Sequence, residues 1–141
     1  MSRIMAIDYG KVRTGLAVTD ILRISANRLE TVETFRLFKF LQSYFSTEDV
    51  HIVVVGYPYE ENFTPSENAS RVDNFVEKFK AKYPDKELVL QDERYTSRMA
   101  QQAIIDAGLK KTKRRDKGLV DGVSATIILQ SYLDSLENIN T

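Results

Sequence analysis

The run His51-Ile-Val-Val-Val-Gly56 is hard to place anywhere but in the middle of a sheet. It is short, continuous and β-branched, it stops at Gly56 and Pro58, and it lacks the polar alternation of a strand with one wet face. Such a strand needs cover on both sides, so the sequence predicts an α/β fold with helices on both faces of a sheet that contains parallel strands.

The N-terminal stretch supplies a different kind of strand. Ile4, Met5, Ala6 and Ile7 run straight into Asp8, and an ionised carboxylate at the end of a buried strand is costly unless it is paired, hydrogen-bonded or bound to a metal. Gly10 and Gly15 bracket a turn where the backbone can reverse sharply or approach a ligand, and Leu16, Ala17 and Val18 return as a second strand. Residues 23–34 read as a third, partly exposed antiparallel strand. Residues 35–45 carry Phe35, Leu37, Phe38, Phe40, Leu41, Tyr44 and Phe45 at helical spacings, an amphipathic helix whose aromatics are assigned to the core.

Beyond the central strand, residues 57–65 form a polar and aromatic loop on the edge where α/β proteins gather binding loops. Ser66 is a candidate N-cap for a helix with Ala69, Val72, Phe75, Val76 and Phe79 on one side, which Pro84 ends. Residues 88–91 make a short buried strand that stops at Asp92 and Glu93. A helix capped by Thr96 or Ser97 carries Met99, Ala100, Ala103, Ile104 and Ala107 and closes at Gly108. The last helix, 119–136, places Asp121 in its first turn and Val120, Val123, Ile127, Leu129, Leu133 and Leu136 on its apolar side. Three antiparallel strands followed by strand-helix units imply a mixed five-stranded sheet, in one domain spanning residues 1–141.

Composition narrows the chemistry. The 141 residues include no cysteine and one histidine, which removes thiolate nucleophiles, disulfides, cysteine-bound zinc and any histidine metal site. Twenty basic and twenty acidic side chains cancel, so the net field does not announce a nucleic-acid partner. Six of the twenty basic residues, however, fall within the eight positions 110–117: Lys110, Lys111, Lys113, Arg114, Arg115 and Lys117. That stretch has no apolar period, and alone it reads as a solvated loop. With no run of about 20 apolar residues and no signal-peptide pattern, the expectation is a cytoplasmic protein without a membrane span.

Gly10-Lys-Val-Arg-Thr-Gly15 has P-loop glycine spacing, but Leu16 and Ala17 stand where Lys and Ser or Thr are required. Read as Asp8-x-Gly10, it also resembles the first phosphate motif of actin-like and sugar-kinase ATPases, which close two lobes on a nucleotide where this chain has length for one. The stronger constellation is Asp8, Glu93 and Asp121: two acids end strands and one opens a helix. If the fold gathers them, their mutual repulsion invites a divalent cation, and an all-oxygen site selects Mg²⁺ or Mn²⁺. Each acid has a plainer reading. Asp121 can complement the helix dipole and Glu93 can pair with Arg94 or Arg98, whereas nothing local favours a charge at Asp8.

Four blocks taken together resemble the YqgF family: Asp8-Tyr-Gly-Lys-Val-Arg-Thr-Gly15 with Leu-Ala-Val-Thr-Asp20, Val-Val-Gly56-Tyr-Pro58, Asp92-Glu-Arg-Tyr-Thr-Ser97, and Asp121-Gly-Val-Ser-Ala-Thr-Ile-Ile-Leu-Gln-Ser-Tyr-Leu133. These are bacterial proteins similar to Holliday-junction resolvases and regarded as nucleases that mature the 5′ end of pre-16S ribosomal RNA. The resemblance implies a ribonuclease-H-like fold and an acid cluster for divalent metal. By position, Asp8, Glu93 and Asp121 correspond to the family's catalytic acids and metal ligands. Neighbouring strand residues face opposite ways, so Asp92 and Glu93 do not both face the metals, and the second residue of that block, Glu93, is the one carried over.

The implied reaction is hydrolysis of a phosphodiester with two Mg²⁺ or Mn²⁺ ions about 4 Å apart. Arg13, Arg94, Lys110, Lys111, Lys113, Arg114, Arg115 and Lys117 would hold phosphates of structured RNA or branched DNA, with the chain a monomer or weak homodimer. Val12 stands where the family has a basic residue, and the two glutamates of the 59–64 loop would repel a backbone. A Holliday-junction resolvase and a non-catalytic ribosome-assembly binding module are the alternatives.

Overall fold

A computed structural model of the chain describes residues 2–58, 67–92 and 117–139, with side chains of the last helix over residues 124–136. Its elements are β1 (Arg3–Asp8), β2 (Arg13–Thr19), β3 (Ala26–Glu33), a 3₁₀ turn (Thr34–Arg36), α1 (Leu37–Thr47), β4 (Val50–Tyr57), α2 (Glu67–Lys82), β5 (Glu87–Asp92) and α3 (Lys117–Ile139). The five strands form one sheet in the order β3-β2-β1-β4-β5. β1 pairs antiparallel with β2 and parallel with β4, β2 pairs antiparallel with β3, and β4 pairs parallel with β5. This is the mixed five-stranded sheet expected from the sequence: three antiparallel strands, then two parallel ones.

Strand alternation splits the core in two. Met5, Ile7, Leu16, Val18, Val53 and Val55 pack on one face against Leu37 and Leu41 of α1 and Ala69, Val72, Phe75, Val76 and Phe79 of α2. Ile4, Ala6, Ala17 and Val54 pack on the other against Ala125, Ile128, Leu129 and Leu133 of α3. The β-branched run of β4 thus has cover on both sides, as its lack of alternation requires. Phe79 and Ile128, one on each side, are fully buried; truncation to Ala would cost about 3–5 kcal/mol at Phe79 and about 2–5 kcal/mol at Ile128 through lost transfer energy and the cavity left behind.

Several boundaries and faces differ from the sequence reading. The third strand begins at Ala26, because Asp20 organises the preceding turn: its Oδ1 accepts hydrogen bonds from the Ile24 and Ser25 amides, both at 2.8 Å. Phe35 is 78% exposed rather than core, since it belongs to the 3₁₀ turn before α1 and no buried residue occurs in that turn. β5 is an edge strand with half-buried and exposed positions, not a buried one; Leu90 is 45% exposed, and Asp92 is its last residue.

Leu129 and Leu133 of α3 are buried as expected, but the buried stripe also takes Ser124, Ala125 and Ile128, while Ile127 and Leu136 are only half-buried. The helix also starts at Lys117, which puts Asp121 in the second turn; no acid lies in the first, and the helix-dipole reading of Asp121 loses its basis. Ser66, Thr96, Ser97, the helix ending at Gly108 and the 59–64 loop lie outside the described residues. No described helix is long and apolar enough to cross a membrane.

Candidate nuclease site

Asp8 closes β1, half-buried. Ile4 and Ala6 face α3 and Met5 and Ile7 face α1 and α2, so alternation turns Asp8 toward the α3 side. Its neighbour confirms the parity from the other direction: the Tyr9 ring stacks on Phe75 of α2, centroids 4.7 Å apart and planes 19° from parallel. The acid and the aromatic that follows it therefore straddle the end of the sheet.

α3 brings its N-terminal half to that same end. Near its C-terminal half, Tyr132 titrates high mainly because of burial, with the Glu87 carboxylate adding to the shift and the Arg23 guanidinium opposing it. Glu87 opens β5 level with Ile52, which pairs with Ile4, and Arg23 bonds Ser2 just before β1. Tyr132 thus marks the far end of the sheet. From Tyr132 back to Asp121 is about 16 Å of helix, and from Ile4 to Asp8 about 13 Å of strand. Position 121 also lies one turn before Ala125 and two before Ile128, in line with the stripe that meets the sheet.

The loop between Asp8 and β2 is built for close backbone approach. A Cβ on Gly10 would run into the carbonyl oxygen of Arg13, so only glycine fits there without a shift. Thr34 then ties the loop to the end of β3. Its Oγ1 donates to the Gly10 carbonyl at 2.7 Å and lies 2.9 Å from the Thr14 Oγ1, while its amide donates to the Val12 carbonyl at 2.8 Å. The turn glycine was legible in the sequence, whereas nothing local marks Thr34, whose partners are brought to it by the β2–β3 pairing. Arg13 opens β2, half-buried, opposite Glu33. Lys11 and Val12 are exposed at the loop tip.

β5 ends beside β4 with Asp92 opposite Tyr57. Leu88 packs toward α1 and α2 while Val89 packs toward α3, so Asp92 shares the parity of Leu88 and faces away from Asp8's side. Glu93, Arg94, Lys110, Lys111, Lys113, Arg114 and Arg115 lie outside the described residues, and Asp121 and Lys117 are described only as backbone of α3. Among the described residues no three acids or imidazoles cluster closely enough to hold a metal ion. The donor that is described fits a hard cation: a half-buried carboxylate at a strand end, in a chain with no thiol and a single imidazole remote at the start of β4.

Residues 2–135 match the family described as RuvX: Holliday junction resolvase. The chain belongs to this family. It is 52% identical over 133 residues to a protein of Christiangramia forsetii named "Putative pre-16S rRNA nuclease", covering 94% of this chain and 98% of the relative. A protein of the same name from Phocaeicola vulgatus is 53% identical over 135 residues, covering 96% and 97%. Among solved structures, T. thermophilus RuvC in complex with a Holliday junction substrate is similar over 96% of each chain, at 18% identity and a TM-score of 0.49. Membership in this family makes the chain a nuclease, an enzyme acting on phosphodiester bonds of nucleic acid.

Proposed function

We propose that this chain is a divalent-metal endonuclease of one domain, residues 1–141, that cuts structured RNA and matures the 5′ end of pre-16S ribosomal RNA in the cytoplasm. The observation that carries the reading is the convergence of Asp8 and the N-terminal half of α3 at one end and on one face of the sheet. Asp8, Glu93 and Asp121 are the metal-holding and catalytic acids. Glu93 is preferred to Asp92 because Asp92 has the parity of Leu88, away from Asp8's face.

Mg²⁺ or Mn²⁺, as a pair of ions, fits this oxygen-only donor set and when bound supplies Lewis acidity for water activation and leaving-group stabilisation. The chain's own groups do the rest. Gly10 and Thr34 fix the loop that follows Asp8, and Arg13, Arg94, Lys110, Lys111, Lys113, Arg114, Arg115 and Lys117 hold phosphates and set register without reading bases. The protein acts as a monomer or weak homodimer.

The family description favours a second substrate, a four-way DNA junction. The deciding experiment compares cleavage of a 5′-extended 16S precursor RNA and of such a junction by wild type and Asp8→Asn, with Mg²⁺, Mn²⁺ or EDTA. Metal-dependent cutting of the RNA is expected, with a loss in the mutant exceeding the ~10- to 100-fold typical of losing an outer-shell partner of a metal. Cutting of the junction alone would move the assignment to branched DNA. Retained binding without cutting of either would make the chain a binding module.

A further inference from the structure

Phe35 is the most exposed of the large apolar side chains among the described residues, at 78%. It is also placed with care. It directly follows Thr34, the residue that ties down the loop after Asp8, so it stands at the site end of the sheet, two strand spacings or about 10 Å to the side of β1. The Arg36 guanidinium lies over the ring, 5.3 Å from its centroid, which covers one face and leaves the other open. A groove runs from this ring along the outer end of β3, walled by Glu30 and Glu33 on the strand side and by Arg36, Lys39 and Phe40 on the helix side.

Each wall suits a different part of a nucleotide. An open aromatic face stacks a base, exposed Arg36 and Lys39 attract phosphate, and the carboxylate of Glu30, which pairs with Leu16 and so shares the α1 face, accepts hydrogen bonds from exocyclic amino groups. That same carboxylate would repel a duplex backbone laid in the groove. The combination is therefore selective for unpaired nucleotides whose bases can be splayed out.

We propose that the Phe35 groove binds a single-stranded flank of the nucleic-acid substrate, with bases that carry an exocyclic amino group, adenine, cytosine or guanine, favoured over uracil. This rests on the nuclease reading only for its substrate. Because the groove lies on the α1 side of the sheet and Asp8 on the α3 side, the flank passes over the Lys11–Val12 loop tip, and the groove binds nucleotides remote from the scissile bond.

The test uses the full-length chain and fluorescein-labelled octamers of A, C or U, with a blunt RNA duplex as control, read by anisotropy. Phe35→Ala should weaken oligo-A and oligo-C by about 5- to 100-fold and leave the duplex unchanged. Phe35→Leu should behave like Ala, since it keeps the apolar surface and loses the ring. Glu30→Gln should narrow the gap between oligo-C and oligo-U, and Arg36→Ser with Lys39→Ser should flatten the salt dependence.

Wild type that binds octamers through Phe35 yet cuts nothing would keep the groove and overturn the nuclease reading. Wild type that cuts while Phe35→Ala leaves both octamer affinity and KM unaltered would do the reverse. Sedimentation in which Phe35→Ala abolishes self-association without touching octamer binding would also overturn the proposal, and assign this face to a second copy of the chain.

Discussion

Asp8 and Asp20 each sit at the end of a buried strand of the same hairpin, one at either end of the sheet, and the molecule closes the two following loops by different means. After β2, Asp20 folds its own loop: Oδ1 accepts from the Ile24 and Ser25 amides, and Arg23, in the left-handed region at φ 57, bonds the Ser2 carbonyl through Nε at 3.0 Å. After β1, the loop is closed from outside, by Thr34 at the end of β3. A carboxylate that organises its own backbone is structural. The loop after Asp8 is secured by a residue of another strand, and a rigid frame of that kind is what a ligand-binding acid requires.

This contrast can be broken experimentally. Gly10→Ala should have the largest effect, because the new Cβ meets the Arg13 carbonyl: a loss of about 1–3 kcal/mol in denaturant unfolding, together with loss of cleavage. Thr34→Val keeps the side-chain shape and removes the hydroxyl that bonds Gly10 and Thr14, at about 1–2 kcal/mol. Its kcat should fall more than its KM changes, and Thr34→Ser should restore it; an unaltered kcat would show that the loop's position does not matter to the chemistry.

Asp20→Asn should have the smallest effect, and on stability alone. The Ser25 amide hydrogen bond, aided by that of Ile24, holds the Asp20 carboxyl below its ordinary value despite some desolvation. A depressed folded value means stability that is present above about pH 4, the unfolded value, and is lost as pH falls through the folded one. Wild type should therefore melt slightly above Asp20→Asn at pH 7, with the gap closing below pH 4 and cleavage equal at pH 7. A cleavage defect in Asp20→Asn would erase the distinction between the two acids.

Much of this was legible in the residues themselves. The β-branched run of β4 required cover on both faces, and simple alternation from Ile4 to Asp8 assigns the acid to a face once the core is known. Two of the departures share a cause. Phe35 and the stripe of α3 were assigned by apolar spacing, and where apolar residues occur nearly all round a segment, spacing cannot tell which side meets the sheet: Ala125 and Ile128 face inward while Ile127 does not. Thr34 is beyond any local pattern, since its partners at Gly10, Val12 and Thr14 reach it only when β2 and β3 pair.

The face of the first hairpin that carries Ile4, Ala6 and Ala17 is covered by α3, the last helix in the chain. During synthesis the first strands therefore leave the ribosome long before their cover exists. At ordinary translation rates the gap is about 5 to 25 s. Through that interval the helix that covers this apolar face among the described residues has not yet been made. A nuclease is thus kept from its final shape until α3 has been made.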